Sequence, residues 1–171
     1  MNILRTMAAV AALALTATPA FAAPTSPNQN ATATARIIRP LTLTWVQDLN
    51  LGTILLSGAG AWGGAVVGVS QGGALSCANP NVTCSGAVQA ARYNVRGTNN
   101  QVVTITAPNV TLTNANDPLQ TLLMTVSSPG TVTLTSSGLP GNDFNLGGSI
   151  TVASTTVDGV YSGTFNVTVD Y

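Results

Sequence analysis

The chain has 171 residues, with five basic and five acidic side chains, no histidine and an apolar share of 45%. This charge balance provides no basic patch for nucleic acid or an anionic membrane, and the apolar share is too high for a disordered chain. Because Lys, Glu and His are all missing, most side chains that perform acid–base catalysis are absent. We therefore expect no enzyme activity and no cofactor.

The first 22 residues have the pattern of a secretory signal peptide. Arg5 supplies a positive charge, residues 7–17 form an apolar run, and residues 20–22 (AFA) have the small-x-small form of a cleavage site. We expect cleavage after Ala22 and export to the periplasm, the cell surface or the extracellular space. The apolar run is too short to span a bilayer, and no membrane span is expected elsewhere.

A flexible leader and one domain are predicted after the signal. Residues 23–30 contain two prolines and several polar side chains, which is typical of a leader, and the domain is expected at residues 31–171. Apolar and polar residues alternate from Ala31 to Ile37, which places Ala31, Ala33, Ala35 and Ile37 on one face. A second alternating run occupies residues 41–46, and residues 48–54 are interpreted as a turn leading into a short strand.

Short strands are predicted through the middle of the chain, at residues 65–69, 91–96, 102–106, 110–113, 119–126, 132–134 and 150–152. Residues 136–148 are rich in Gly, Asn and Pro and precede the strand predicted at residues 150–152. No segment shows a sustained 3.6-residue apolar repeat, so almost no helix is expected after the signal. Short strands separated by turns predict an antiparallel β-sandwich or barrel.

Three local features in this region are candidates for a special role. Cys77 and Cys84 are the only cysteines, and in an oxidising compartment they predict one disulfide around a short loop. Trp62, in a Gly-rich loop, is either an exposed platform for a sugar ring or another protein, or a cover for the core. The oxygen atoms of residues 114–117 suit Ca²⁺, but with a single carboxylate we interpret this segment as an ordinary turn.

The end of the chain has the clearest strand pattern. Tyr161, Phe165, Val167, Val169 and Tyr171 fall on one face of an eleven-residue stretch with a period of two, and polar residues occupy the other face. This pattern predicts one long final strand.

Four stretches resemble a known family. Residues 48–54 (DLNLGTI) and 159–171 (GVYSGTFNVTVDY) resemble elements of bacterial secreted pilin-like domains, with Leu51 where Phe is usual. Together with residues 40–44 (PLTLT) and 93–97 (YNVRG), they make the mature chain similar to the domain-of-unknown-function 4402 family. That family is similar in turn to spore-coat-U and chaperone–usher fimbrial subunits.

The resemblance implies an immunoglobulin-like, pilin-like antiparallel β-sandwich that lacks its final strand. The gap would be filled by strand donation from a neighbour, with Ala31, Ala33, Ala35 and Ile37 as the candidate donor strand. The face formed by Tyr161, Phe165, Val167, Val169 and Tyr171 would be the candidate groove edge. The alternative is that residues 31–46 supply the first strands of their own domain.

Two functions follow as expectations. The first is a secreted structural or assembly subunit whose partners are copies of itself, related subunits or a periplasmic chaperone. The alternative is a monomeric periplasmic or surface module that binds a ligand such as a carbohydrate through Trp62.

Overall fold

A computed structural model describes residues 29–58 and 60–171. The chain divides into two units, Met1–Ala35 and Arg36–Tyr171. The predicted signal peptide and most of the predicted leader lie outside the described residues. Residues 29–35, the described part of the first unit, are exposed and form neither helix nor strand.

The second unit consists of β-strands, and no helix occurs among the described residues. Its thirteen strands are β1 (Thr42–Gln47), β2 (Thr53–Leu56), β3 (Ala65–Val69), β4 (Leu75–Ser76), β5 (Val82–Ser85), β6 (Ala91–Arg96), β7 (Val102–Thr106), β8 (Val110–Asn114), β9 (Thr121–Ser127), β10 (Thr131–Thr133), β11 (Asn142–Val152), β12 (Tyr161–Ser162) and β13 (Thr168–Asp170). All the pairings between them are antiparallel. The prediction of an all-β, antiparallel fold is therefore confirmed. The part of the chain that the structure describes has no helix with the length and apolarity that crossing a membrane requires.

The strands form one large sheet and two small ones. The large sheet has eight strands, in the order β1-β6-β11-β9-β8-β12, with β3 also paired to β11 and β4 to β3. The small sheets are β10-β7-β13 and β2-β5. The longest strand, β11, joins the two halves of the large sheet because Asn142–Leu146 pair with β6 and Gly147–Val152 pair with β9 and β3.

Each small sheet packs on a different part of the large one through its own apolar cluster. The first cluster has buried side chains from β3, β5, β8, β9 and β11: Ala65, Val67, Val82, Val110, Leu112, Met124, Ile150 and Val152. The second has buried side chains from β6, β7, β11 and the residue after β10: Ala91, Val95, Val103, Ile105, Leu134, Phe144 and Leu146. Burial of these aliphatic faces, at about 25 cal/mol per Å², is the main force that holds the sheets together.

The strand predicted at residues 150–152 is the end of a longer strand that begins in the Gly-, Asn- and Pro-rich stretch. Asn142 begins β11, and Gly147 and Gly148 lie inside it. A Cβ atom at Gly147 would lie 2.5 Å from the carbonyl oxygen of Val69 and 2.9 Å from the amide nitrogen of Gln71. Glycine is needed there because another backbone passes close by, and such a glycine resembles a turn residue in the sequence.

The last predicted strand is divided in two. β12 pairs with β8 in the large sheet, whereas β13 pairs with β7 in a small sheet, and residues 163–167 between them belong to no strand. The chain crosses from one sheet to the other at Gly163, where a Cβ atom would lie 2.7 Å from the carbonyl oxygen of Thr111. The side-chain alternation continues through the crossing, so the sequence pattern alone does not reveal it.

Candidate functional site

A groove with a volume of about 890 Å³ opens between β2 and the segment around β12. Residues 48–56 form one wall and residues 156–165 form the other. The floor is the inner face of the large sheet, with the apolar side chains Leu112, Leu122, Met124, Ile150 and Val152. The groove is therefore a gap between strands, above the first apolar cluster.

The β2 wall has a free backbone edge. β2 pairs with β5 alone among the described strands, and the amide of Ser57 donates to the carbonyl of Asn81 at 2.8 Å. In an antiparallel pair the backbone groups of successive residues point alternately toward and away from the partner strand. The N–H and C=O groups of Ile54 and Leu56 consequently point away from β5, toward the groove.

Side chains on β2 alternate as well. Ile54 and Leu56 are half-buried and pack against the first cluster, whereas Leu55 is 67% exposed on the opposite face. Tyr161 and Phe165 pack against the same cluster from the other wall. An extended chain placed in the groove would meet free backbone groups at the β2 edge and apolar side chains beneath.

Asn114 holds the second wall in position. Its side chain is only 1% exposed, and its Nδ2 donates to the carbonyl of Asp158 at 2.9 Å while its Oδ1 accepts from the amide of Asn116 at 2.9 Å. The amide of Ala115 donates to the carbonyl of Val160 at 2.8 Å. Gly159, with a φ of 141°, allows this close approach because a Cβ there would lie 2.5 Å from the Asn114 amide.

The interpretation of residues 114–117 as a turn agrees with these bonds. Asp117 accepts from the amide of Leu119 at 3.1 Å, so its carboxylate also serves the turn. Across the described ranges, no group of three or more His, Cys, Asp or Glu side chains is placed to hold a metal ion.

A disulfide between Cys77 and Cys84 supports the first wall, and it confirms the predicted pairing. Cys84 lies in β5, the partner of β2, and Cys77 follows β4, which pairs with β3 of the large sheet. The bond therefore joins the small β2-β5 sheet to the large sheet, beside the groove.

The predicted groove-edge residues lie in three places. Tyr161 and Phe165 line the groove. Val167 and Val169 pack against the second cluster, with Phe165 contacting both clusters. Tyr171 lies at the far end, where its hydroxyl is hydrogen-bonded to residues 39 and 98.

The candidate donor residues are exposed and unpaired in the structure. Ala31, Ala33 and Ala35 belong to no strand, and Ile37 is 90% exposed. The first strand of the domain is β1, which starts at Thr42 and pairs with β6. Of the run at residues 31–46 that the alternative assigned to the domain's own strands, only residues 42–46 are in one.

Trp62 is half-buried and packs against the first cluster. Its indole N–H donates to the carbonyl of Ser57 at 3.3 Å, and its backbone amide donates to Ser154 Oγ at 3.2 Å. In this position the ring packs over the core.

Sequence reasoning missed the exposed tryptophan of the chain. Trp45, on the edge strand β1, is 58% exposed and donates from Nε1 to Asp48 Oδ1 at 3.1 Å. Tyr93, opposite Trp45, stacks on Phe144 with ring centroids 5.7 Å apart. Burial, and to a lesser degree the charge of Asp48, raises the pKa of Tyr93.

Sequence reasoning also missed the β2 wall and the role of Asn114. The sequence predicts a turn and a short strand at residues 48–54. Whether the outer edge of that strand is paired depends on where the other strands lie in the fold. No local pattern carries that information.

A family model described as "Domain of unknown function (DUF4402)" matches residues 41–171 of the chain. No curated protein and no solved structure matches the chain. The matched range contains every strand of the second unit and both walls of the groove, while the candidate donor segment lies before it.

Proposed function

For this chain, which belongs to the family of domains of unknown function DUF4402, we propose a structural role. It is an exported, pilin-like subunit with an immunoglobulin-like β-sandwich, and it assembles with copies of itself or related subunits at the cell surface or outside the cell. Assembly proceeds by strand donation, in which the N-terminal arm of one copy enters the groove of the next. A periplasmic chaperone is a further candidate occupant of the groove.

The observation that carries this proposal is the groove between β2 and residues 156–165. It combines a free strand edge with an apolar floor, which is the arrangement that accepts an added strand. Backbone hydrogen bonds at Ile54 and Leu56 would supply affinity for any extended chain. The spaces above the floor would determine which side chains the added chain can place against the floor.

The arm has the dimensions and pattern of a donor. Residues 31–37 would span roughly 23 Å when extended, at about 3.3 Å per residue. Their apolar face, with Ala31, Ala33, Ala35 and Ile37, would point to the floor, and Thr32 and Thr34 would point to solvent. Donation from each copy to the next is a head-to-tail contact that does not close on itself, so it produces a filament.

The composition of the groove supports a structural role over a catalytic one. Its lining contains two carboxylates, Asp48 and Asp158, and otherwise consists of apolar, Thr, Ser, Gly, Asn and Tyr residues. Such a surface suits an extended apolar chain, whereas proton transfer would require positioned acids and bases.

The proposal is tested by blocking the groove on one face of β2. In Ile54→Arg the aliphatic stem stays on the apolar surface while the guanidinium reaches water across the groove, so the domain folds but the groove is filled. Leu123→Arg is the control, because Leu123 is 61% exposed on the outer face of β9 and does not line the groove.

We expect the native chain and Leu123→Arg to give ladders of oligomers that survive mild SDS without boiling, and Ile54→Arg to give monomer. Circular dichroism checks that all three are folded. A ladder of equal intensity from Ile54→Arg, or a native chain that stays monomeric at high concentration, would refute strand donation.

A further inference from the structure

Tyr171, which follows β13, is hydrogen-bonded to the arm root, residues 36–40, at the end of the N-terminal arm. Its hydroxyl donates to the carbonyl of Arg39 at 2.6 Å and accepts from the amide of Thr98 at 2.7 Å. The amide of Arg39 in turn donates to Thr98 Oγ1 at 2.6 Å. These three bonds close a ring that joins the arm root, the turn after β6 and the end of the chain.

Polar contacts of two arginines extend this attachment along residues 36–40. The Arg36 guanidinium donates to Gln101 Oε1, and Arg39 Nη1 donates to the carbonyl of Ser137 at 3.4 Å. Residues 36–40 are nevertheless all exposed, and a cavity of about 510 Å³ lies beside Arg36, Ile38 and Tyr171. The root is therefore held mainly by hydrogen bonds, with little apolar burial, so it can detach at a small cost in free energy.

Gly97 shows that space at this place is reserved for the hydroxyl. A Cβ atom at Gly97 would lie 2.5 Å from the Tyr171 hydroxyl oxygen, 2.7 Å from Leu41 Cδ2 and 2.9 Å from Leu134 Cδ1. The Tyr171 hydroxyl, the Leu41 side chain beside the arm root and the core residue Leu134 therefore meet at Gly97, which has no side chain.

The attachment has a consequence for Ile37. This residue lies between the two attached arginines, and its side chain is 90% exposed. While Arg39 is bonded on both its amide and its carbonyl, the backbone on either side of Ile37 is held on its own domain and cannot pair inside a neighbouring groove. Only Ala31, Ala33 and Ala35 are then free to enter, and their methyl groups offer much less apolar area than Ile37.

We infer that the Tyr171 hydroxyl is a latch, which holds residues 36–40 on their own domain and withholds Ile37, the largest donor side chain, until the latch opens. The latch itself stands on the contacts within the second unit, and its role in assembly rests on the proposed strand donation. Tyr171 is a positioning residue, because it acts on the donor through the backbone of Arg39.

The latch is tested first by trypsin on a protein that cannot assemble, the Ile54→Arg variant. The Arg36–Ile37 bond is cleavable, the Arg39–Pro40 bond is resistant because proline follows, and Arg92 and Arg96 lie in β6 between two paired strands. The Ile54→Arg substitution itself adds one trypsin site in β2, and cleavage there gives a product that begins at Leu55 and is distinguished by its mass. A protease must extend the chain on both sides of the bond it cuts, so cleavage after Arg36 requires release of Arg39.

We expect Tyr171→Phe to raise the rate of this cleavage about tenfold, the effect of losing hydrogen bonds of ordinary strength. Thr98→Val, which removes the acceptor for the Arg39 amide, should accelerate it as well. The matched control is Tyr93→Phe, which removes a tyrosine hydroxyl from a residue outside the groove whose ring stacks on Phe144. Mass spectrometry identifies the product as residues 37–171.

Equal cleavage rates in the parent, Tyr171→Phe and Thr98→Val would overturn the latch, and so would an equal acceleration by Tyr93→Phe. The second readout uses chains with an open groove. There, Tyr171→Phe should assemble several-fold faster than the native chain, and adding Ile37→Ala should abolish the gain. If Tyr171→Phe assembles no faster, the inferred control of donation is wrong. If no chain assembles at all, strand donation fails, while the trypsin result still decides whether the latch exists.

Discussion

At the scale of single residues, Asn114 shows how one buried side-chain amide can hold in place a loop that has little apolar burial of its own. It bonds the carbonyl of Asp158 and the amide of Asn116, and it lies against Gly159, where a side chain would clash. Residues 156–165 carry few buried side chains of their own. The groove wall therefore depends on this amide for its position.

Replacing Asn114 by Ala should destabilise the domain and loosen the wall. The change leaves the carbonyl of Asp158 without its buried donor, a loss of about 1–3 kcal/mol in the free energy of unfolding. Urea denaturation measures it, with Asn116→Ala as the control because Asn116 is exposed in the same turn. Equal midpoints for the two variants would show that the amide does not hold the wall.

The sequence identified residue 114 as part of a turn but gave no sign that it is buried. Asn is common at turns, and its side-chain bond to Asn116 two residues on is the ordinary turn contact. The second bond, to a residue 44 positions later, depends on how the chain returns from β11 to β12. A local pattern contains no record of that return.

At the scale of strands and sheets, the Cys77–Cys84 bond ties the β2-β5 sheet to the strands beneath it. That small sheet has two strands, and a two-stranded sheet is marginally stable by itself. The disulfide and the packing of Ile54 and Leu56 on the first cluster both keep β2 at the rim of the groove.

Removing the bond with Cys77→Ser and Cys84→Ser together should lower the free energy of unfolding by about 2.5 kcal/mol, the chain-entropy value for a loop of about eight residues. Because β2 would lose a tether, assembly should slow as well. Denaturation of the double variant, compared with oxidised native protein, checks the first effect, and reduced native protein should be about as stable as the variant. A double variant as stable as the oxidised native chain would contradict it.

Strand type was predictable from alternation of Thr with aliphatic residues, whereas strand ends and partners were not. The strands at residues 65–69, 91–96 and 102–106 agree with their prediction to the residue. The longest departures occur around Gly147 and Gly163, where the backbone passes within van der Waals distance of another strand. Those glycines report a close approach in space, and the sequence presents them only as flexible residues.

At the scale of the whole molecule, two-residue alternation in short segments separated by turns was sufficient to predict an all-β antiparallel fold, without helix in the described residues. The sheet order was beyond prediction, because β11 pairs with strands from three distant parts of the chain. The groove follows from that order: β2 and the segment around β12 lie on opposite sides of a gap that no described strand fills. The groove exists because of the way the strands pair, and individual residues only line it.

The central claim is that one copy's arm enters another copy's groove. Mixing two variants that cannot assemble alone tests this claim most directly. The donor-only chain carries Ile54→Arg, so its groove is blocked and its arm is intact. The acceptor-only chain carries Ala33→Asp and Ala35→Asp, because carboxylates on the donor face cannot be buried unpaired in an apolar groove. Thr34→Asp, on the opposite face of the arm, is the control and should still donate.

The measurement is size-exclusion chromatography with light scattering on each chain alone and on their equimolar mixture. We predict monomers for each chain alone and a dimer of one donor and one acceptor in the mixture, which stops at two chains because no further arm and groove are both available. A mixture that remains monomeric, under conditions where the native chain forms oligomers, would contradict strand donation and assign the native contact to another surface.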